Sequence, residues 1–194
     1  QVVGPEDGPL AEGESGPGRL SEPETLVAAL SSTQPPQAVA SDGALKGLRV
    51  VVSAGPTYED LDPVRYLGNR SSGKMGFAVA ASAARRGADV TLVAGPVTLA
   101  TPPGVKRVDV RSAAQMHQAV FAALPADIYI GAAAVADYTP RLPAANKIKK
   151  SNETLALDLM RTPDILAEVA AQTQSLKLVV GFAAETENVA GYAR

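Results

Sequence analysis

Lys147, Lys149 and Lys150 place three ammonium groups within four residues. Such a cluster can neutralise a polyphosphate and stabilise the charge that grows on a departing pyrophosphate, although most short basic clusters are only solvated faces. Upstream lies Asn69-Arg70-Ser71-Ser72-Gly73-Lys74-Met75-Gly76. A Gly/Ser turn that feeds a helix presents backbone N–H groups, hydroxyls and a positive dipole end to an anion. The run meets neither the Walker spacing nor the dinucleotide glycine fingerprint, so a plain tight turn and helix cap stays open beside phosphate binding. Arg65 and Lys74 add positive charge to it. A third run, Gly131-Ala132-Ala133-Ala134-Val135-Ala136-Asp137-Tyr138, has side chains small enough for a flat ligand to reach the backbone. Asp137 there could bind ribose hydroxyls, or simply cap a turn at a small-residue packing crossover. Phe182, in Gly181-Phe182-Ala183-Ala184-Glu185-Thr186, could cover a base or belong to the core. His117 falls inside a helical run and receives no role.

These runs need a scaffold, and from Leu45 onward short apolar strands alternate with Ala-rich helical stretches, the pattern of repeated βαβ units. Strands are expected at Leu48–Ser53, Asp89–Ala94, Lys106–Val110, Ile128–Ala133 and Leu176–Phe182. Helices are expected at Met75–Arg86, Ala113–Leu124 and Pro163–Gln172, the last opened by a Thr162 N-cap. Strands apolar on both faces imply a parallel sheet covered by helices, hence an α/β, Rossmann-like, doubly wound fold. In such sheets ligands bind beyond the carboxyl ends of the strands, where the loops after Ser53, Ala94, Ala133 and Phe182 fall. Thr154–Leu159 alternates apolar and polar residues and is expected to be a strand in a solvated arm.

Residues 1–45 differ in texture, with frequent Gly, Pro and Ser and a run of acids facing a lone Arg19. They are expected to be largely disordered, with a helix only at Glu22–Leu30 and a Pro-rich linker at Thr33–Ala40. Residues 46–194 form the main domain. A formal charge of −2 gives no general attraction to nucleic acid or anionic membrane. The chain holds no cysteine, which excludes disulfides and thiol chemistry within it. No apolar run reaches the roughly 20 residues of a bilayer span, and a cytoplasmic setting is the expectation.

Taken together, Ala54-Gly55-Pro56-Thr57, Asp62-Pro63-Val64-Arg65-Tyr66, Asn69 with Ser71–Gly76, Gly131–Tyr138, Lys147–Lys150 and Gly181–Thr186 closely resemble bacterial phosphopantothenoylcysteine synthetase. The resemblance runs from about Leu48 to Arg194. It implies a ligase that activates 4'-phosphopantothenate with CTP as an acyl-cytidylate and couples it to L-cysteine, releasing pyrophosphate and then CMP. It further implies that Gly55, Ser71, Ser72, Gly73, Lys74 and Gly76 belong to the nucleotide phosphate site. Gly131, Ala133, Ala134 and Asp137 would shape the base and ribose pocket, and Phe182 and the turn Met160, Arg161, Thr162, Pro163 would complete it. Lys147 would act on the triphosphate, Asn69 on the acyl group, and Arg65 would support Asn69. Mg2+ or Mn2+ is expected with CTP through the phosphates. A homodimer with Thr154–Leu159 as an exchanged arm is implied as well.

Residues Gly4–Glu22 resemble the end of the decarboxylase to which this synthetase is usually fused. Glu12 stands where that segment commonly has a proton-donating cysteine, and the flavin-binding body of the decarboxylase is not among these residues, so neither flavin nor decarboxylation is expected of them. Further lysines of the family are expected after Arg194. Two other readings remain at this level: an NAD(P)-dependent oxidoreductase, whose usual home is this fold, and a non-catalytic nucleotide-binding module.

Overall fold

The computed structural model describes residues 6–9, 15–19, 43–150, 153–172 and 176–182. The chain divides into two compact units, Gln1–Ala40 and Ser41–Arg194. In the first, β1 (Glu6–Pro9) and β2 (Ser15–Arg19) pair antiparallel, with Gly8 opposite Gly16. The sequence reading placed no strand there. Apolar periodicity is blind to such a ladder, because backbone hydrogen bonds alone define it. The expected helix at Glu22–Leu30 and the linker at Thr33–Ala40 lie outside the described residues.

The second unit runs β3 (Arg49–Pro56), β4 (Tyr58–Asp60), β5 (Tyr66–Gly68), α1 (Lys74–Arg85), β6 (Asp89–Ala94), β7 (Val105–Asp109) and α2 (Ala113–Ala122). It continues with β8 (Ile128–Ala134), β9 (Tyr138–Pro140), β10 (Leu159–Arg161), α3 (Ile165–Ala171) and β11 (Leu178–Gly181). Five strands form one parallel sheet in the order β11-β8-β3-β6-β7, the α/β architecture expected. Every residue of β3 after Arg49 is buried, as a strand covered on both faces requires. Val50, Val52 and Ala54 join Val90, Leu92 and Ala94 beneath Phe77, Ala80 and Ala83 of α1. Val51 turns the other way and joins Val93 and Tyr129 beneath Met116 and Val120 of α2 and Ile165 and Val169 of α3. Full burial of a valine contributes roughly 1.5–3 kcal/mol, so this one strand carries much of both cores.

Helix α1 sits so close to β3 that Gly76 has no room for a side chain. A Cβ there would lie 2.5 Å from Ala54 Cβ and 3.2 Å from Ala54 Cα. Helix α2 begins with a capping box between Ser112 and Gln115, and the buried Glu59 carboxylate accepts from Ala113 N at 2.8 Å. The start of α3 departs from expectation. Its N-cap is Asp164, which accepts from Ala167 N at 2.9 Å, while the Thr162 hydroxyl donates to Ala136 O at 2.6 Å. The residue before Pro163 is pushed away from helical backbone, which frees Thr162 to tie β10 to the exit of β8.

The expected arm also shifts. Residues 154–158 are exposed and outside any strand, and the pairing falls on β10, antiparallel to β9. Leu155 and Leu157 stay uncovered at 55% and 42% exposure, so their alternation did not mark a strand face buried within this chain. Among the described residues no helix is long and apolar enough to cross a membrane.

At the amino ends of the neighbouring strands β3, β8 and β11, Asp127 binds the three together. Its carboxylate accepts from Arg49 N at 2.8 Å and pairs with Lys177 at 3.1 Å, while its carbonyl accepts from Lys177 N and Leu178 N. The Arg49 amide first, and Lys177 next, hold its carboxyl below the usual range. A depressed folded-state pKa stabilises above the unfolded value, and the stabilisation is lost as pH falls through the depressed one. Urea unfolding should therefore show a gap between wild type and Asp127→Asn that is constant down to about pH 5 and shrinks as pH falls below about 4. Gly76→Ala should cost about 1–3 kcal/mol by overpacking in the same assay. That loss outweighs the roughly 1 kcal/mol of helix propensity that alanine adds.

Candidate functional site

Strand β3 has β6 on one side and β8 on the other, so the chain leaves the carboxyl ends of β3 and β8 in diverging directions. A crevice opens at such a switch point. It is occupied by a cavity of about 970 Å³. Two walls come from the turn after β5, at Asn69, Arg70 and Ser71, and from the end of β8, from Gly131 through Tyr138. The segment from Arg161 to Leu166 and Phe182 close it.

Short polar bonds stitch the first two walls together. Asn69 Nδ2 donates to Ala134 O at 3.2 Å and to Val135 O at 3.0 Å, and Ser71 N donates to Asn69 O at 3.0 Å. Beneath them Thr57, fully buried, donates from its amide to Ala134 O and accepts from Ala136 N at its hydroxyl, at 3.3 and 2.9 Å. The small side chains of the β8 end leave its backbone within reach of the cavity. At the start of α1, Gly73 takes left-handed backbone at φ 73°, and no side chain caps the first turn. The positive end of this helix is thus left to solvent or ligand.

The structure sorts the expected site residues. Asn69, Ser71, Gly131, Ala133, Ala134, Asp137, Arg161, Thr162, Pro163 and Phe182 all line the cavity. Met160 instead faces a smaller cavity of about 410 Å³, with Tyr58 and Thr139. Gly55, Ser72, Gly73, Lys74 and Gly76 are not in the walls. Ser72 and Lys74 are exposed, whereas Gly55, Gly73 and Gly76 are buried where the turn packs on β3. Gly76 is therefore a packing residue.

Arg65 and Lys147 are also outside the cavity walls. Arg65 pairs with Asp62 through Nε at 3.0 Å and Nη2 at 2.5 Å, and Nη2 donates to Ile148 O at 2.7 Å. Asp62, buried, also accepts from the amides of Val64, Arg65 and Ile148 at 2.8 to 3.0 Å. The Arg65 guanidinium, helped by these amides, holds the Asp62 carboxyl well below the usual range against its burial. Lys147, Lys149 and Lys150 are exposed around the half-buried Ile148.

Sequence reasoning missed the cavity floor. Ser53 Oγ and Tyr129 Oη lie 3.1 Å apart there, both buried, and burial raises the Tyr129 pKa and keeps it neutral. Nothing in the sequence separates them from the strand interior, because both read as ordinary strand residues. Asp164 and Leu166 enter the wall because α3 starts two residues later than expected. His117, given no role, pairs with Glu168 at 2.8 Å and stacks on Phe121, tying α2 to α3.

Comparison with known proteins agrees with this geometry. The family described as DNA/pantothenate metabolism flavoprotein C-terminal domain matches residues 45–194. The coenzyme A biosynthesis bifunctional protein CoaBC of Vibrio cholerae is 53% identical over 194 residues, covering 98% of this chain and 47% of that protein. The protein of the same name from Escherichia coli K12 is 52% identical over 198 residues, with 100% and 47% covered. The chain thus spans about half the length of the curated relatives it matches. A crystal structure of the C-terminal domain of CoaBC superposes with a TM-score of 0.68 at 43% identity, over 78% of this chain and 72% of that one. With the match spanning the whole parallel sheet and its crevice, this chain belongs to the DNA/pantothenate metabolism flavoprotein C-terminal domain family.

Proposed function

We propose that this chain forms the synthetase part of a cytoplasmic ligase that joins 4'-phosphopantothenate to L-cysteine at the expense of CTP. A carboxylate is a poor acyl donor until one of its oxygens becomes part of a good leaving group. In the first step a carboxylate oxygen attacks the α-phosphorus of CTP, forming the acyl-cytidylate as pyrophosphate leaves. In the second the cysteine amine attacks the acyl carbon, an N–H proton is lost and CMP departs, leaving 4'-phosphopantothenoyl-L-cysteine. The observation that carries this reading is the single cavity joining the Asn69–Ser71 turn to the end of β8. The relatives that match over nearly the whole chain are coenzyme A biosynthesis proteins, which supports the substrate class.

The residues take the following parts. Backbone groups at Gly131, Ala133 and Ala134 meet the nucleotide base, and Asp137 meets the ribose. Ser71 and the uncapped start of α1 hold phosphate. The amide oxygen of Asn69 is directed by the two carbonyls that fix its nitrogen, so the side chain can orient the acyl group without moving. Lys147 supplies charge to the triphosphate from its loop at the same carboxyl edge of the sheet. The divalent cation is read as travelling with the CTP phosphates. Bound there, Mg2+ would supply charge neutralisation. Flavin belongs to the decarboxylase half that such bifunctional proteins carry, and residues 1–45 are read as the end of that half.

The active form is proposed to be a homodimer, because Leu155 and Leu157 on the arm, and Leu142 beside its base, are exposed at 55%, 42% and 86%. Sedimentation velocity should show two copies per particle, and Leu155→Asp should lower that association at least about tenfold. A monomer at micromolar concentration would remove the arm from the site. The chemistry is tested by pyrophosphate release from CTP and 4'-phosphopantothenate in the longest natural chain carrying these residues. Lys147→Gln should lower that release by about 10²-fold or more. Asn69→Asp sets a carboxylate against two carbonyl oxygens and should chiefly block transfer to cysteine, so acyl-cytidylate accumulates. Normal turnover in both variants, or tight NADPH binding that CTP does not displace, would overturn the assignment.

A further inference from the structure

The lysines ride on an excursion between β9 and β10. Its base is closed where Arg141 N donates to Asp158 O and Arg141 Nε meets the Asp158 carboxylate, at 3.0 and 2.9 Å. Ala144 N donates to Leu61 O at 2.9 Å. Beyond it, from residue 145 to residue 157, the described residues make hydrogen bonds only at Ile148. Both backbone groups of Ile148 are taken, the N–H by Asp62 Oδ2 at 3.0 Å and the carbonyl by Arg65 Nη2 at 2.7 Å. One ion pair therefore grips one peptide residue from both sides, and that residue stands between Lys147 and Lys149.

We infer that Asp62, acting through Arg65, is a positioning residue that latches the lysine loop to the turn leading into the cavity wall. Three features make the pair suited to this work. Asp62 spends its charge on Arg65 and its Oδ1 on the Val64 and Arg65 amides, so it offers nothing that would capture a nearby ammonium. Lys147, Lys149 and Lys150 accordingly make no ion pair with the described residues and keep their full charge for a ligand. The grip is also stiff, because the Asp62 side chain is fully buried and every acceptor site it presents to the loop is used. Finally, Arg65 opens directly into β5, which delivers Asn69 to the cavity four residues later. The latch thus sets the lysine loop and the Asn69 wall relative to one another. Its depressed pKa keeps the carboxylate charged at any pH near neutrality.

This inference rests on the ligase reading for its catalytic consequence and on geometry alone for the latch. Asp62→Asn replaces one acceptor oxygen by an amide that confronts the Ile148 N–H and the guanidinium. Arg65→Lys keeps the charge but loses the second arm to Ile148 O. Trypsin should cut after Lys147 and Lys149 about tenfold faster in both variants than in wild type. The kcat for pyrophosphate release should fall by about 10²-fold in Asp62→Asn, as misplacement by an ångström or so does. Its KM for CTP should stay within about twofold, since neither Asp62 nor Arg65 lines the cavity. Unchanged cleavage, or faster cleavage with unchanged kcat, overturns the inference. If Asp62→Asn does not fold, amide exchange in the wild type decides: Ile148 should be protected and Lys149 not, and equal exchange sinks the latch. Absence of pyrophosphate release in wild type would refute the ligase reading, while the cleavage and exchange results would still judge the latch.

Discussion

Everything in the larger unit depends on β3 being hydrogen-bonded on both edges and covered on both faces. Its register runs from Val50 opposite Val90 and Ile128 to Ala54 opposite Ala94 and Ala132. A strand so enclosed leaves no edge and no face for a ligand, so binding is confined to where it stops. Beyond Pro56 the chain must turn away, and beyond Ala134 its neighbour does the same in another direction. The crevice between those two departures is a consequence of the packing rather than an addition to it.

What keeps the crevice open and shaped is a set of short bonds between segments far apart in sequence. Thr57 and Asn69 both spend polar groups on the β8 exit, at Ala134, Val135 and Ala136. Thr162 adds a third bond there, through its hydroxyl to Ala136 O. Thr57 and Ala136 are buried, and leaving their polar groups unpaired would cost more than such bonds contribute singly, so the β8 exit is held where its partners are. The charge of the region is organised in the same manner. Asp62 is neutralised by Arg65 and Asp60 by Arg111, which stacks near Tyr58 and Tyr66. Asp62 and Asp60 are thereby occupied, while Lys147, Lys149 and Lys150 stay exposed and without an ion pair among the described residues.

Sequence periodicity served well wherever a residue's burial follows from its own strand or helix. Asp89–Ala94 occurs as expected, and the other sheet strands and the first two helices fall within a few residues of their expected limits. It failed where a neighbour from elsewhere in the chain decided the outcome. The Thr162 hydroxyl, expected to cap a helix, bonds the Ala136 carbonyl just beyond β8 instead, and Leu155 and Leu157 alternate without pairing. Of the glycine-rich turn, Ser71 reaches the cavity whereas Gly76 serves close packing on Ala54. Both roles favour small residues, so composition does not separate them.

The order of apolar and small residues was thus enough by itself to determine a parallel α/β sheet and to mark the loops at its carboxyl edge as the place for a ligand. Hydrophobic burial is local enough in sequence for its period to be read. Tertiary structure alone decided which of those loops share one cavity, that Ser53 and Tyr129 form its floor, and that Arg65 faces Asp62 and Ile148 rather than the cavity. Those outcomes turn on hydrogen bonds between residues tens of positions apart, whose directions exist only once the strands have been laid side by side.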